Sequence, residues 1–137
     1  MHQFAKTSAM ILLITGLLLS GCVTKVEKEE KLKDLDFTVL KEEDVPPEMM
    51  EMIEIQKVNA FQGSYEDQGY LYIVEGYGAQ PTTGYSIEVK EVYETEHTIE
   101  MHTMLSGPQK DEKKVDKETF PYVVIKLEAI DKDVQWR

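Results

Sequence analysis

Residues 120–127 read Phe-Pro-Tyr-Val-Val-Ile-Lys-Leu, FPYVVIKL, apolar at almost every position. A strand with one wet face alternates apolar and polar residues, whereas a strand covered on both faces loses that alternation. The run therefore predicts a strand with packing layers on both sides. Three other segments carry strand patterns. Tyr70 to Val74 is aromatic and β-branched, with Gly69 before it and Gly76 beyond. Tyr85, Ile87 and Val89 alternate with Ser86, Glu88 and Lys90, and Ile99, Met101, Thr103 and Leu105 share one face of the stretch from His97 to Leu105. A shorter strand-like run, Phe37 to Leu40, ends at the charged Lys41-Glu42-Glu43-Asp44.

Between that run and the strands lies one helix pattern. Asp44 stands near the N-terminal cap, Pro46-Pro47 suits a first turn that needs no N–H, and Glu48 favours the positive end of the dipole. Met49, Met52, Ile53 and Gln56 then recur at helical spacing, which predicts a helix over 47–58. Its methionines suit either packing on a sheet or an adaptable binding surface, and packing is the simpler reading. One N-terminal helix ahead of about four to five strands predicts an α+β domain: a small antiparallel sheet with the helix on one face.

The start of the chain points outside the cytoplasm. Lys6 precedes an apolar run from Met10 to Leu19, followed by Leu19-Ser20-Gly21-Cys22. A charged start, a short apolar core and small residues at its end make an export signal, too short to cross about 30 Å of hydrocarbon. Leu-Ser-Gly-Cys resembles the bacterial lipobox, which implies cleavage before Cys22 and diacylglycerol on its sulfur. Two acyl chains hold a protein stably on a bilayer. The expected organisation is a signal peptide at 1–21, a lipidated cysteine with a lysine- and glutamate-rich tether at 22–35, and a single domain at 36–137. Its expected location is the outer face of the bacterial cell membrane, or an outer membrane where one exists. The tether would hold the domain off the membrane by roughly a few tens of ångströms.

Cys22 is the only cysteine, so lipidation leaves no thiol for a disulfide, a thiolate metal site or a nucleophile. Removing residues 1–21, which hold one lysine and no acidic residue, takes the net charge from −11 to −12. Such a surface disfavours nucleic acid and anionic headgroups as partners. No catalytic pattern emerges. His97 and His102 are an odd number of residues apart, which sends them to opposite faces of a strand. Ser64, Ser86 and Ser106 lie in no nucleophile-elbow pattern, and Gly76, Gly78 and Gly84 do not form a phosphate-binding G-x-G-x-x-G. The acidic pairs Glu42-Glu43 and Asp111-Glu112 read as solvated charge. The expectation is a non-enzyme with no cofactor and no metal.

One stretch remains, GYGAQPTTGYSIEV at residues 76–89. Gly76 and Gly78 allow a bend or positive φ at a strand end, Pro81 presets φ, and Gly84 tolerates the left-handed region before the next strand. Thr82 and Thr83 would stand at the tip with hydroxyls free for a partner backbone. Tyr77, Gln80, Pro81, Thr82, Thr83 and Tyr85 are the candidate partner-binding residues, with a purely geometric connection as the alternative.

Pro81-Thr82-Thr83-Gly84-Tyr85-Ser86-Ile87, followed about thirty residues later by Thr119-Phe120-Pro121-Tyr122-Val123-Val124-Ile125-Lys126, resembles the C-terminal domain of the PrcB family over about 70–128. That family takes its name from a lipoprotein subunit of a surface protease complex, thought to stabilise the protease. The resemblance implies a non-catalytic binding or assembly role toward an envelope protein. Thr83 departs from the family's usual glycine pair. The same departure makes residues 81–85 similar to the P-T-T-G-Y loop of chagasin-type cysteine protease inhibitors, although their G-x-G-G and R-P-W loops are missing. A surface protein with no specific loop function is the third reading.

Overall fold

The computed structural model describes residues 29–137. The expected signal peptide, Cys22 and the tether as far as residue 28 lie outside the described residues. In chain order the elements are β1 (Lys33–Asp34), β2 (Thr38–Val39), a 3-10 turn (Glu42–Asp44), α1 (Pro47–Gln56), β3 (Ala60–Asp67), β4 (Tyr70–Tyr77), β5 (Ser86–Glu94), β6 (Thr98–Ser106), β7 (Tyr122–Glu128) and β8 (Asp133–Trp136).

The α+β class holds, but the strands divide between two four-stranded sheets. One, on the helix side, has the order β2-β7-β4-β3; the other has the order β1-β5-β6-β8. All pairings are antiparallel except β6 with β8. β7 explains the layering. Val123, Ile125 and Leu127 point to one side, where they meet Leu71 and Ile73 of β4 and Val92, Ile99 and Met101 of the second sheet. Val124 points the other way, into Val45, Met49, Ile53, Phe61 and Val74 under the helix. The near-continuous apolar run is thus a strand covered by a sheet on one face and a helix on the other.

Three boundaries differ from the sequence expectation. The helix ends at Gln56, with Met49 and Ile53 buried, Met52 half-buried and Gln56 exposed. Its N-cap is Pro46, which makes no side-chain cap bond; Asp44 closes the preceding 3-10 turn instead. The domain also begins ahead of Asp36. Lys33 and Asp34 pair with Glu94 and Tyr93, and the N–H of Leu35 donates to Val92 O at 2.9 Å. Lys31 lies over the Tyr93 ring, 4.9 Å from its centroid, and Glu29 accepts from the His97 N–H at 3.0 Å. No apolar stripe announced this segment because backbone hydrogen bonds and ion pairs hold it at a sheet edge. Lys31 bonds Asp34 at 2.8 Å and Glu91 at 3.2 Å.

The passage from β7 to β8 carries the chain from the helix-side sheet to the other. Lys132 secures it, donating to Glu94 Oε2 at 2.8 Å and to Thr95 O at 2.7 Å. That hydrogen bond holds the Glu94 carboxyl below its ordinary pKa.

Candidate functional site

Two long connections cross between the sheets at one end of the sandwich. Residues 78–85 lead from β4 to β5, and residues 107–121 return from β6 to β7. Register places them side by side, since Ser86 faces Ser106 and Gly76 faces Tyr122. They are also cross-bonded. Gln80 and Thr119 form an antiparallel bridge, with N–H to O distances of 2.8 and 3.0 Å. The Thr83 N–H donates to Val115 O at 3.1 Å, and the Val115 N–H donates to Thr83 Oγ1 at 2.9 Å. Thr119 Oγ1 donates to Thr82 O at 2.7 Å, and Thr82 Oγ1 donates to Thr83 O at 3.0 Å. Two crossovers thereby become one ordered surface.

This corrects the picture of Thr82 and Thr83 as a tip with free hydroxyls. Both hydroxyls are engaged inside the chain: Thr83 Oγ1 accepts from Val115 of the second crossover, and Thr82 Oγ1 donates to the adjoining Thr83 O. The Pro81–Tyr85 segment, similar in sequence to a chagasin-type loop, is held against residues 115–119 by the same bonds. Pro81 and Gly84 are exposed, whereas Gln80, Thr82, Thr83 and Tyr85 are half-buried. Gln80 Nε2 turns back to Tyr77 O at 3.2 Å, and the Tyr85 ring packs beside Gly107.

Two glycines keep their expected role. Gly78 has φ +76 and Gly84 has φ +93. Gly76 does not: its φ is not positive, and its hydrogen sits where a Cβ would overlap the Phe61 ring. It is a site of close approach rather than a bend.

Tyr77 is also displaced from its expected part. Its hydroxyl lies 2.5 Å from Thr103 Oγ1, and Thr103 Oγ1 donates to Glu75 Oε1 at 2.5 Å. With the threonine proton given to the carboxylate, Tyr77 is the donor to Thr103. Gln62 Nε2 completes the set, donating to Glu75 Oε2 at 3.1 Å. This polar chain joins the two sheets directly beneath the crossovers. Thr103→Val is expected to destabilise the domain by about 2 kcal/mol, since Tyr77 and Glu75 each lose a partner, while Thr103→Ser costs under about 1 kcal/mol. Denaturant midpoints of the two variants measure the difference.

Residues 71–128 match the family model described as PrcB C-terminal. This region of the chain belongs to the PrcB C-terminal family. The match runs from the second residue of β4 to the last of β7, so the PrcB C-terminal unit comprises two strands of each sheet and both crossovers. The remaining strands flank it: β3 and β2 extend the helix-side sheet, and β1 and β8 the other. No curated protein and no solved structure was found to match the chain.

Sequence reasoning missed the second half of this PrcB C-terminal surface. Val115 is 62% exposed at the crossover tip, an isolated apolar side chain among charges. Residues 107–119 carry four lysines and four acidic residues, so this end is balanced in a chain of net charge −11. The lone valine in a charged run was the available signal. Among the described residues, no group of three or more His, Cys, Asp or Glu is placed to hold a metal.

Proposed function

We propose that the chain is an exported lipoprotein, anchored through diacylglycerol on Cys22, whose PrcB C-terminal domain is a non-catalytic module that binds an envelope protein and stabilises or assembles a surface protease complex. The observation that carries this reading is that the family region contains both crossovers, and that they are bonded into one exposed surface. A preformed surface binds without the entropy cost of ordering loops. The Pro81 and Val115 side chains supply its apolar centre, with the mixed charges of 107–119 as a polar rim.

The docked N-terminal segment favours the same reading. Glu29 is bonded at His97, at the β5–β6 turn, whereas the crossovers leave the opposite ends of β5 and β6. Nine residues of β5 separate the two ends, about 30 Å at 3.3 Å per residue. Six residues lie between Cys22 and Glu29. An anchor at Cys22 would hold the β5–β6 turn toward the bilayer and present the crossovers away from it.

Two measurements test the two parts. Cys22→Ser is expected to move the protein from the membrane fraction to the soluble fraction; retention in the membrane would rule out the lipid anchor. Thr83→Val combined with Thr119→Val removes the side-chain bonds between the crossovers and is expected to lower capture of the envelope partner at least tenfold with the fold intact. Undiminished capture by that double variant would remove the crossovers from the binding reading.

A further inference from the structure

β3 forms one border of the helix-side sheet. It pairs with β4 in unbroken register, from Ala60 opposite Tyr77 to Asp67 opposite Tyr70, and no described strand pairs with its other edge. Alternate residues of this eight-residue strand therefore turn N–H and C=O groups outward. Natural edges are defended by shortness, proline, lysine or a bulge. The other borders are shorter or broken; β6 is free only over His102–Ser106, beyond its pairing with β8. β1 and β2 have two residues each and β8 has four, and the exposed length of β5 is broken by a bulge at Lys90. β3, Ala-Phe-Gln-Gly-Ser-Tyr-Glu-Asp, has no lysine, no proline and no register shift.

The surroundings define what such an edge would take. Between β3 and β8 runs a groove lined by Ser64, Glu66, His97, Asp131, Lys132 and Asp133. The Lys132 ammonium is turned away to Glu94 and Thr95. Glu66, Asp67, Asp131 and Asp133 make no ion pair among the described residues. On the opposite face of β3, Tyr65 and Met52 are half-buried and largely apolar. We infer that the outer edge of β3 accepts an extended segment of another protein as an added strand, with lysine or arginine facing the groove and apolar residues facing α1. Main-chain pairing supplies the affinity and the period-two side-chain pattern the specificity. A second copy of this chain is the wrong partner on charge, since each copy brings −11. This site is separate from the crossovers and stands whether or not they bind.

The test uses the full chain in detergent, a nine-residue peptide alternating lysine and valine, and its counterpart with glutamate for lysine. Hydrogen exchange is expected to slow over residues 60–67 with the lysine peptide, which should bind at least tenfold more tightly than the glutamate peptide. Ser64→Lys, which puts a cation on the edge, and separately Glu66→Gln with Asp133→Asn, should each weaken binding at least tenfold with unchanged thermal midpoints. Thr82→Ala should not. Equal binding of both peptides, protection confined to other residues, or protection of 60–67 that grows with protein concentration and no peptide would each overturn the inference, the last by showing a second copy on the edge.

Discussion

Gly76→Ala is expected to destabilise the domain by about 3 kcal/mol, far more than a glycine-to-alanine change in a strand ordinarily does. The added Cβ would overlap Cε1 and Cδ1 of Phe61, a side chain only 8% exposed. Phe61 packs with Met49, Ile53, Val74 and Val124 beneath the helix, and the hollow beside it, lined by Ala60, Gln62, Glu75, Gly76 and Tyr77, opens toward solvent. The ring must leave the core, and the loss approaches that of Phe61→Ala, about 3–5 kcal/mol. A double-mutant cycle read by denaturant unfolding isolates the cause. With the ring already removed, Gly76→Ala should cost little further. Full additivity of the two substitutions would show that close approach of Phe61 is not why glycine stands there.

The second large effect belongs to Glu100. Its side chain is 1% exposed, on the face of β6 turned away from the helix-side sheet. Arg137 Nε donates to Oε1 at 2.6 Å and Thr98 Oγ1 to Oε2 at 2.6 Å. The Arg137 N–H, bonded to Met101 O at 2.8 Å, sets the guanidinium in place. Arg137→Ala leaves a buried carboxylate with one hydrogen-bond donor, and breaking such a pair costs about 3–5 kcal/mol. Because the Arg137 side chain is 43% exposed, the lower end of that range, about 3 kcal/mol, is expected. Glu100→Leu removes the charge and frees Arg137 into water, so it should cost less than Arg137→Ala. Denaturant midpoints give the order, and the reverse order would mean that Glu100 stabilises the fold by packing rather than through its partner.

How much of this was readable beforehand depends on where each residue's partner lies in the chain. Strands β4 to β7 declare themselves by local alternation or by the unbroken run at β7. That run says both faces are covered, yet says nothing of what covers them, so a second sheet was invisible. β3 escaped notice because Gly63 interrupts its apolar face, leaving Phe61 and Tyr65 as weak signals. β8 is four residues long and half polar. At the site, proline and glycine chemistry located the first crossover correctly. The role of its threonines depends on residues 32 and 37 positions downstream, beyond any local pattern. Gly76 likewise takes its meaning from Phe61, fifteen residues earlier, and turn propensity alone assigned it to a bend.

The paired crossovers are the centre of the functional account, and photocrosslinking in intact cells tests them most directly. A benzoylphenylalanine introduced at position 115 or at position 81 should capture an envelope protein. The same residue at position 33, on β1 at the opposite end of β5, should not. Capture from position 33 with none from 115 or 81 would contradict the account and place the binding surface elsewhere on the domain.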